Sequence, residues 1–218
     1  MNCIITAGPT FEPLDDVRRL TNFSTGKLGA ELANYLTKQG HSVTLLIGEQ
    51  ATYKGPQHAH RVRTFSTTAN LRDQFKRLAN KKMTAIFHAA AVSDFAFGKL
   101  FTQDEAGKLA PLKRSKKIST RSGSLFAELI PTPKIIASLR QWYPEAVIIG
   151  WKYEANGKRA NALDSAQRQL ADCQTDACVA NGPAYGKGFA LVTSTDQTHF
   201  NTRSQLFRKL AKFAGEAS

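Results

Sequence analysis

The sequence predicts an α/β protein of the Rossmann-like, three-layer type, in which a mostly parallel sheet lies between two layers of helices. Three observations lead to this prediction: short apolar runs recur along the chain, amphipathic segments with helical spacing separate them, and the connections are short. The chain has 218 residues and no Gly/Ser-rich or Pro-rich linker. We therefore expect a single domain over residues 1–218.

The predicted elements alternate along the chain. Strands are expected at 2–6, 42–47, 61–65, 84–92, 124–130, 146–151 and 176–180, with a hairpin at 189–193 and 198–200. Helices are expected at 25–37, 68–78, 133–142 and 158–170, and an amphipathic helix closes the chain. Ligands of such sheets bind beyond the carboxyl ends of the strands, which here supply the segments near Gly8, Asp94 and Trp151.

The overall charge favours an anionic ligand. Lys and Arg exceed Asp and Glu by 30 to 17, which gives a formal net charge of +13. Such an excess attracts phosphates on nucleic acids, membranes or small molecules. Because the basic residues are spread over the chain without a recognisable nucleic-acid-binding motif, we expect small substrates, with neither nucleic acid nor membrane as a partner.

The cysteines and the N-terminus indicate a cytoplasmic protein. Cys3, Cys173 and Cys178 form no CxxC pair and lack the spacing of a zinc site, so reduced thiols are expected. Met1 leads directly into an apolar strand without a signal-peptide pattern. The longest apolar runs have the length of strands, which is too short to span a bilayer.

Residues 95–123 form a long polar and basic stretch without a clear structural period. Its densest group of basic residues comprises Lys108, Lys113, Arg114, Lys116, Lys117 and Arg121. Two interpretations are open: a solvated charged loop, or a mobile flap that covers an anionic ligand.

The first strand-to-helix connection is the most informative segment. Ser24–Gly29 opens a helix whose free N–H groups and dipole can hold an anion, although neither a GxGxxG fingerprint nor a complete P-loop is present. Glycines that only close a tight turn are the alternative. Arg18, Arg19 and Asn22 lie in the long excursion between Gly8 and this helix, where they need a ligand or internal partners.

The same excursion carries a family resemblance. ITAGPTFEPLDDVRRLTNFSTGKLGAEL at 5–32 resembles the opening of phosphopantothenoylcysteine synthetases, and AAAVSDF at 89–95 resembles their AAV-[AS]-D-[YF] signature. Similar family segments are matched by KIS at 117–119, LFAELIPTPKII at 125–136, IIGWKYEA at 148–155 and DACVANG at 176–182. The resemblance extends from the first strand to about Phe189.

The resemblance implies a ligase that joins 4′-phosphopantothenate and cysteine in coenzyme A biosynthesis through an acyl-nucleotide. The implied co-substrate is CTP, with ATP as the alternative, and its phosphates are expected to hold Mg²⁺. Many relatives are fused to a flavin-dependent decarboxylase, but we expect no flavin because this chain starts at the synthetase strand. The family also implies a homodimer in which the flap, residues 95–123, reaches the neighbouring site.

The resemblance also implies roles for individual residues. Asn22 and Lys117 are expected to be catalytic, at the acyl group and at the phosphorus respectively, with Lys116 as the alternative flap lysine. The residues expected to bind the acid are Arg18, Asn22, Ala90 and Ala91. The residues expected to bind the nucleotide are Gly8, Gly26, Lys27, Gly29, Asp94, Pro133, Lys134, Ile135, Ile136 and Trp151. Trp151 is expected to pack against the base, with 133–136 lining it, and no protein metal site is expected.

Other functions stay open at this point. A nicotinamide-dependent reductase would use the same kind of sheet, although the glycine fingerprint is broken. The charge also allows a non-catalytic protein that binds anions or nucleic acid, and the family fold could serve a different acid or amine. His88 stands mid-strand among apolar residues, and we expect it to be packed and hydrogen-bonded rather than catalytic.

Overall fold

The structure is a computed structural model, which describes residues 1–79, 81–104, 106–113, 117–119 and 123–216. Its helices are α1 (Lys27–Lys38), α2 (Thr68–Leu78), α3 (Ile135–Trp142), α4 (Arg159–Cys173) and α5 (Arg203–Glu216). Its strands are β1 (Asn2–Ala7), β2 (Phe11–Pro13), β3 (Arg19–Thr21), β4 (Ser42–Gly48), β5 (Arg61–Phe65), β6 (Ala85–His88), β7 (Phe95–Gln103), β8 (Leu109–Leu112), β9 (Ser124–Pro131), β10 (Val147–Tyr153), β11 (Ala177–Asn181), β12 (Phe189–Val192) and β13 (Gln197–Phe200).

A central sheet forms the middle layer of the molecule. Within the described residues it has eight strands, in the order β13-β12-β11-β10-β6-β1-β4-β5. The strands from β11 to β5 run parallel, whereas β12 and β13 add an antiparallel hairpin at one edge. Parallel strands are covered on both faces and therefore consist of continuous apolar runs. The predicted mostly parallel α/β sheet is confirmed.

Alternating side chains divide the core into two layers. Ile5 of β1 belongs to a cluster with Leu32 of α1 and Leu206 of α5 on one face of the sheet. Its neighbour Ile4 belongs to a cluster with Phe75 of α2 on the other face, where α3 and α4 also pack. This alternation along a strand produces the three layers expected from the sequence.

Residues 95–131 include a second, antiparallel sheet in the order β8-β7-β9. The loop-like arm expected over 95–123 is therefore corrected, because β7 and β8 are regular strands that pair with each other, and β7 also pairs with β9. The register shifts between Phe97 and Leu100. Most side chains of this sheet are only partly covered, which explains why the sequence shows no clear apolar period. Lys116 lies outside the described residues.

Several predicted elements begin or end at different residues in the structure, and α3 and β6 are two of them. α3 begins at Ile135, so Pro133 precedes the helix instead of standing in its first turn. Thr132 holds this approach extended, because its N–H donates to Asp94 O at 2.9 Å and its hydroxyl donates to Ser93 O. The strand predicted at 84–92 ends at His88, since the residues after it bond to the loop that follows β1.

The cysteines are buried and form no disulfide. Burial raises the pKa of the Cys3 and Cys178 thiols to about 12, so both side chains pack as small apolar groups. In the part of the chain that the structure describes, no helix combines the length and the apolarity that a membrane crossing needs.

His88 is a structural histidine, as expected. Its ring is buried, lies edge-on to Phe75 at 5.6 Å, and has Nδ1 2.9 Å from Thr6 Oγ1. The Thr6 hydroxyl accepts the N–H of Ala90 at 3.0 Å, so its own proton can be donated to Nδ1 of the neutral ring. Burial lowers the pKa of His88 from 6.5 to about 4.

We predict that His88 makes the free energy of unfolding pH-dependent. Between pH 6.5 and about pH 4 the unfolded chain binds a proton that the folded chain excludes, so stability is complete above this window and falls as the pH decreases through it. The shift corresponds to about 3 kcal/mol. The free energy of unfolding, measured with urea at several pH values across this window, should depend less steeply on pH in His88→Gln than in wild type. His58→Gln, at an exposed position, should keep the wild-type pH dependence. An unchanged pH dependence in His88→Gln would contradict this assignment.

Candidate functional site

The loops that follow β1 and β6 meet at the carboxyl edge of the central sheet. Thr10 N–H donates to Ala91 O at 3.1 Å, and Ala91 N–H donates to Gly8 O at 3.0 Å. Ser93 N–H donates to Thr10 Oγ1 at 2.8 Å. These bonds bring the predicted residues Gly8, Ala90 and Ala91 together.

Gly8 and Gly26 form a close backbone contact beside these loops. Both glycines have positive φ, at 79° and 78°, a conformation that favours glycine. A Cβ on Gly26 would lie 3.0 Å from Ala51 Cβ and 3.3 Å from Gly8 N. The start of α1 therefore lies at the end of β1, where its N-cap residue Gly26 supplies no side-chain cap and its first turn has no acidic residue. The Lys27 N–H donates to Thr25 Oγ1 at 3.3 Å. The N–H groups and dipole of α1 can bind an anion there.

Gly29 allows α1 to approach β1 closely. A Cβ at this position would lie 2.7 Å from Ala7 Cβ and 2.8 Å from Thr6 O, so any side chain would push the helix away. Lys27 is exposed, and its ammonium lies 3.8 Å from the Glu31 carboxylate. The predicted residues that the structure brings together here are Gly8, Gly26, Lys27 and Gly29.

The hairpin of β2 and β3 docks Asn22 on the same edge of the sheet. The Asn22 amide donates to Ala91 O at 3.2 Å, and the Thr21 hydroxyl donates to Thr10 O at 2.9 Å. The Asn22 side chain is otherwise exposed. A neutral amide in this place, next to Ala90 and Ala91, can hold the oxygen of an acyl group.

Asp94 lies where the antiparallel sheet of β7, β8 and β9, which we call the flap sheet, leaves the central sheet. Its main chain is fixed by Thr132, whose N–H donates to Asp94 O, while the residue itself is exposed. The next residue, Phe95, pairs with Pro131 at the base of β7 and β9. The Asp94 carboxylate therefore stands at the boundary between the candidate site and the flap.

Trp151 and Asn181 place two buried, unsatisfied polar atoms near the carboxyl edge. Within the described residues, Trp151 Nε1 and Asn181 Oδ1 have no hydrogen-bond partner. In the register of β10 and β11, Trp151 pairs with Val179 and Asn181 with Tyr153, so both side chains alternate onto the face that α1 covers. Buried polar atoms are nearly always satisfied, and this donor and acceptor are available to a ligand.

Asn181 is absent from the residues nominated from the sequence. The available signal was its place as the polar last residue of the apolar strand ACVAN, at the carboxyl end where ligands bind.

Ile135 and Ile136 lie on the opposite face of the sheet from Trp151. Ile135 is buried in the layer of α2 and α3, and Ile136 Cδ1 lies 2.7 Å from where a Cβ on Gly150 would be. Gly150 and Trp151 are neighbours in a strand, so they point to opposite faces. The expectation that residues 133–136 line the nucleotide base through their backbone groups stays a prediction, although Ile135 and Ile136 lie on the other face of the sheet from Trp151. The four residues concerned are Pro133, Lys134, Ile135 and Ile136.

Arg18 and Lys117 are brought together through Ile118. The Arg18 guanidinium donates to the Asp15 carboxylate at 2.5 and 3.1 Å and to Ile118 O at 2.7 Å. Ile118 N–H donates to Asp15 Oδ2 at 3.0 Å. The exposed Lys117 directly precedes Ile118, so the flap lysine lies next to the hairpin of the same chain that carries Asn22, whereas the family resemblance implied a flap that reaches the neighbouring site. Sequence reasoning missed Asp15.

A cavity lies apart from this site. It has a volume of about 530 Å³ and opens at the amino edge of the sheet, beside Val147, Thr175 and Phe213. Within the described ranges, no three His, Cys, Asp or Glu side chains cluster as metal ligands. The predicted residues therefore concentrate at the carboxyl edge.

Comparison with known proteins relates the whole chain to one family. The family model of the DNA/pantothenate metabolism flavoprotein C-terminal domain matches residues 1–213. The coenzyme A biosynthesis bifunctional protein CoaBC of Thermococcus kodakarensis is 29% identical over 179 residues, which cover 82% of this chain and 40% of that protein. The chain thus spans less than half the length of this curated relative.

Two solved structures have the same fold. The DNA/pantothenate metabolism flavoprotein from Streptococcus pneumoniae has a TM-score of 0.88 at 24% identity, with full coverage of both chains. A Cab2 mutant in complex with phosphopantothenate-cysteine has a TM-score of 0.75 at 20% identity, covering 99% of this chain and 86% of the other. Since the family model accounts for nearly every residue, the chain belongs to the DNA/pantothenate metabolism flavoprotein C-terminal domain family, as the resemblance to phosphopantothenoylcysteine synthetases indicated.

Proposed function

We propose that this chain is a ligase that joins 4′-phosphopantothenate and cysteine through an acyl-nucleotide. The observation that carries the proposal is the docking of the Asn22 amide on Ala91, beside the start of α1. This arrangement supports the proposal, because an amide able to bind an acyl oxygen lies near helix N–H groups able to bind a phosphate. The relative CoaBC is named for coenzyme A biosynthesis, and the Cab2 neighbour is complexed with phosphopantothenate-cysteine.

The chemistry has two steps. A carboxylate is a poor electrophile, so its oxygen first attacks the α-phosphorus of the nucleotide, and pyrophosphate leaves. The amine of cysteine then attacks the acyl carbon, the nucleoside monophosphate leaves with the bonding electrons, and the amine loses a proton. Negative charge builds at phosphorus in the first step and at the acyl oxygen in the second, and fixed donors at those places lower the two barriers.

In this proposal, some site residues stabilise the charge at phosphorus and others the charge at the acyl oxygen. The N–H groups at Gly26–Gly29 receive a phosphate, and Lys117 adds a positive charge at the phosphorus during activation. Asn22 holds the acyl oxygen, with Ala90 and Ala91 as its backbone surroundings, and Arg18 positions the same region. Magnesium arrives with the triphosphate and is held by phosphate oxygens.

The nucleotide is CTP in this proposal, with ATP as the alternative. Trp151 packs against the base, and its Nε1 together with Asn181 Oδ1 offers a donor and an acceptor that lack protein partners within the described residues. Asp94 hydrogen-bonds the base or sugar. Residues 133–136 remain proposed contacts that line the base through their backbone groups. ATP stays the alternative because Lys152, which follows the aromatic residue Trp151, resembles the lysine at this place in animal-type members of the family, which use ATP.

We predict that the protein releases pyrophosphate from CTP when phosphopantothenate is present, and that amide forms only after cysteine is added. The two products should be followed separately with each nucleoside triphosphate at matched concentrations. Equal or faster turnover with ATP would reverse the choice of nucleotide. Absence of pyrophosphate with every triphosphate would reject the ligase.

We further predict that two substitutions separate the half-reactions. Lys117→Ala should lose pyrophosphate release even without cysteine, whereas Asn22→Ala should release pyrophosphate but form little amide and accumulate the activated acid. Loss of a placed electrostatic donor costs ~10²–10³ in rate. Both side chains are exposed, so both variants should stay folded.

Two further lysine variants control this experiment. Lys113→Ala, an exposed flap position, should behave like wild type, and Lys116→Ala tests the alternative flap lysine. If Lys116→Ala is the inactive variant, the role passes to Lys116. If Lys117→Ala and Asn22→Ala slow both steps equally in single-turnover reactions, the division of roles is wrong.

We also propose that the chain forms a homodimer through the flap sheet. Phe95, Phe126, Leu129 and Ile130 of this sheet are 42–48% exposed, and exposed apolar groups of this kind commonly mark an interface. Phe23, next to Asn22, is fully exposed. A second copy that covers these residues would bury them next to the candidate site.

The predicted dimer can be tested by light scattering. Wild type should show twice the 23.9 kDa mass of the chain, and Leu129→Glu should shift it toward the monomer because a charge would be buried. Val62→Glu, at a similarly exposed position of 42% on β5, should stay dimeric. A fully active 23.9 kDa monomer at micromolar concentration would contradict the proposal.

A further inference from the structure

Both peptide groups of Ile118 are held by one turn of the β2–β3 hairpin. Its N–H donates to Asp15 Oδ2 at 3.0 Å, and its carbonyl accepts from the Arg18 guanidinium at 2.7 Å. The Ile118 side chain is itself buried, at 5% exposure. A flap residue about one hundred positions away in sequence is thus fixed by two hydrogen bonds and by packing.

The Asp15 carboxylate is built into this contact. Its side chain is fully buried, and Oδ1 accepts the N–H groups of Val17 and Arg18 at 3.0 and 2.8 Å. Oδ2 accepts the Arg18 guanidinium and the N–H of Ile118. Hydrogen bonds from Arg18, and then from Ile118, hold the pKa of Asp15 well below its usual range, so the carboxylate is ionised at any pH at which the enzyme works.

This contact joins two parts of the candidate site. The hairpin that carries Asp15 continues directly to Asn22, which is fixed on Ala91. On the other side of the contact, Lys117 is the residue next to Ile118. A shift of Ile118 would therefore move Lys117 relative to Asn22, and small displacements of a placed charge are costly in catalysis.

We propose that Asp15 is a positioning residue for the reaction, which with Arg18 grips the backbone of Ile118 and so fixes Lys117 relative to Asn22. We call this contact of Asp15, Arg18 and Ile118 the clasp. The assignment of Lys117 rests on the proposed function, whereas the grip on Ile118 does not. In this arrangement the Arg18 guanidinium acts on the flap through Ile118.

The first test measures the grip without any substrate. The Lys117–Ile118 bond is a trypsin site, and its N–H is the group that Asp15 binds. Limited digestion followed by mass spectrometry should show about tenfold faster cleavage of this bond in Asp15→Ala, normalised to cleavage after the exposed Lys82. The control Asp16→Ala, at an exposed position, should stay within about twofold of wild type.

Asp15→Asn keeps the shape of the side chain and removes its charge. Its amide oxygen can still accept the Ile118 N–H but no longer pairs with the guanidinium, so we expect intermediate cleavage. This variant decides the matter if Asp15→Ala is unfolded by circular dichroism. Cleavage at the wild-type rate in the folded variants would overturn the clasp.

The second test asks whether Asp15 acts through Lys117. Asp15→Asn should slow single-turnover pyrophosphate release about tenfold in the wild-type background. In the Lys117→Ala background it should slow the residual release, already ~10²–10³ below wild type, by less than about twofold, since the group that Asp15 positions is gone. Equal slowing in both backgrounds would show a purely structural role and overturn the positioning assignment. Faster tryptic cleavage in a protein without ligase activity would leave the grip established and reject only the proposed function.

Discussion

The hydrogen bonds that Ala91 exchanges with Gly8 and Thr10 join the segments that leave β1 and β6. Each of these segments alone would be an ordinary loop at the end of a strand. Joined, they form a rigid platform at the carboxyl edge of the sheet. Ala91 donates its N–H to Gly8, and its carbonyl accepts from Thr10 and, with a further lone pair, from the Asn22 amide. From below, Thr6 holds the N–H of Ala90 and the buried ring of His88. The hairpin and α1 dock on a support that is itself part of the core.

The groups around this platform lie on two sides, one facing α1 and the other facing the flap sheet. On the side of α1, the helix approaches β1 closely at Gly29, and the buried, unpartnered atoms of Trp151 and Asn181 belong to neutral side chains. On the flap side, Asp94 and Lys117 are exposed charges on elements that leave the sheet. The unpartnered atoms of Trp151 and Asn181 are thus buried and neutral, while the charges of Asp94 and Lys117 are exposed. This distribution avoids the cost of an unpaired buried charge and keeps the charged groups accessible to an anion.

Much of the fold follows from local sequence. Strands buried on both faces are continuous apolar runs, and β5 and α2 have the predicted ends, α2 beginning where Thr67 accepts the N–H of Asn70. The strands β7 and β8 were not predictable in this way, because they are held by pairing with each other and by the pairing of β7 with β9, and their side chains are only partly covered. The glycine-lined start of α1 was visible from the sequence. Asp15 was not, since Asp-x-x-Arg resembles a simple turn and the partner that gives it meaning lies 103 residues away. The position of Trp151 relative to Gly150 could be predicted, because neighbouring residues of a strand point to opposite faces of the sheet. That Ile136 packs on the Gly150 face is seen only in the structure.

The contact at Ile118 also bears on how the flap can vary among related proteins. A sheet that leaves the core through two adjacent strands resembles a module that recombination could exchange at its base, near Asp94 and Pro131. Here the inner end of that sheet is tied to a turn located before α1. A chimera that receives a foreign flap without the matching turn would keep its fold and lose the register between the two. Insertions are therefore better tolerated at the outer turn between β7 and β8, where no such tie to the hairpin is described, than on the stretch that leads to Ile118.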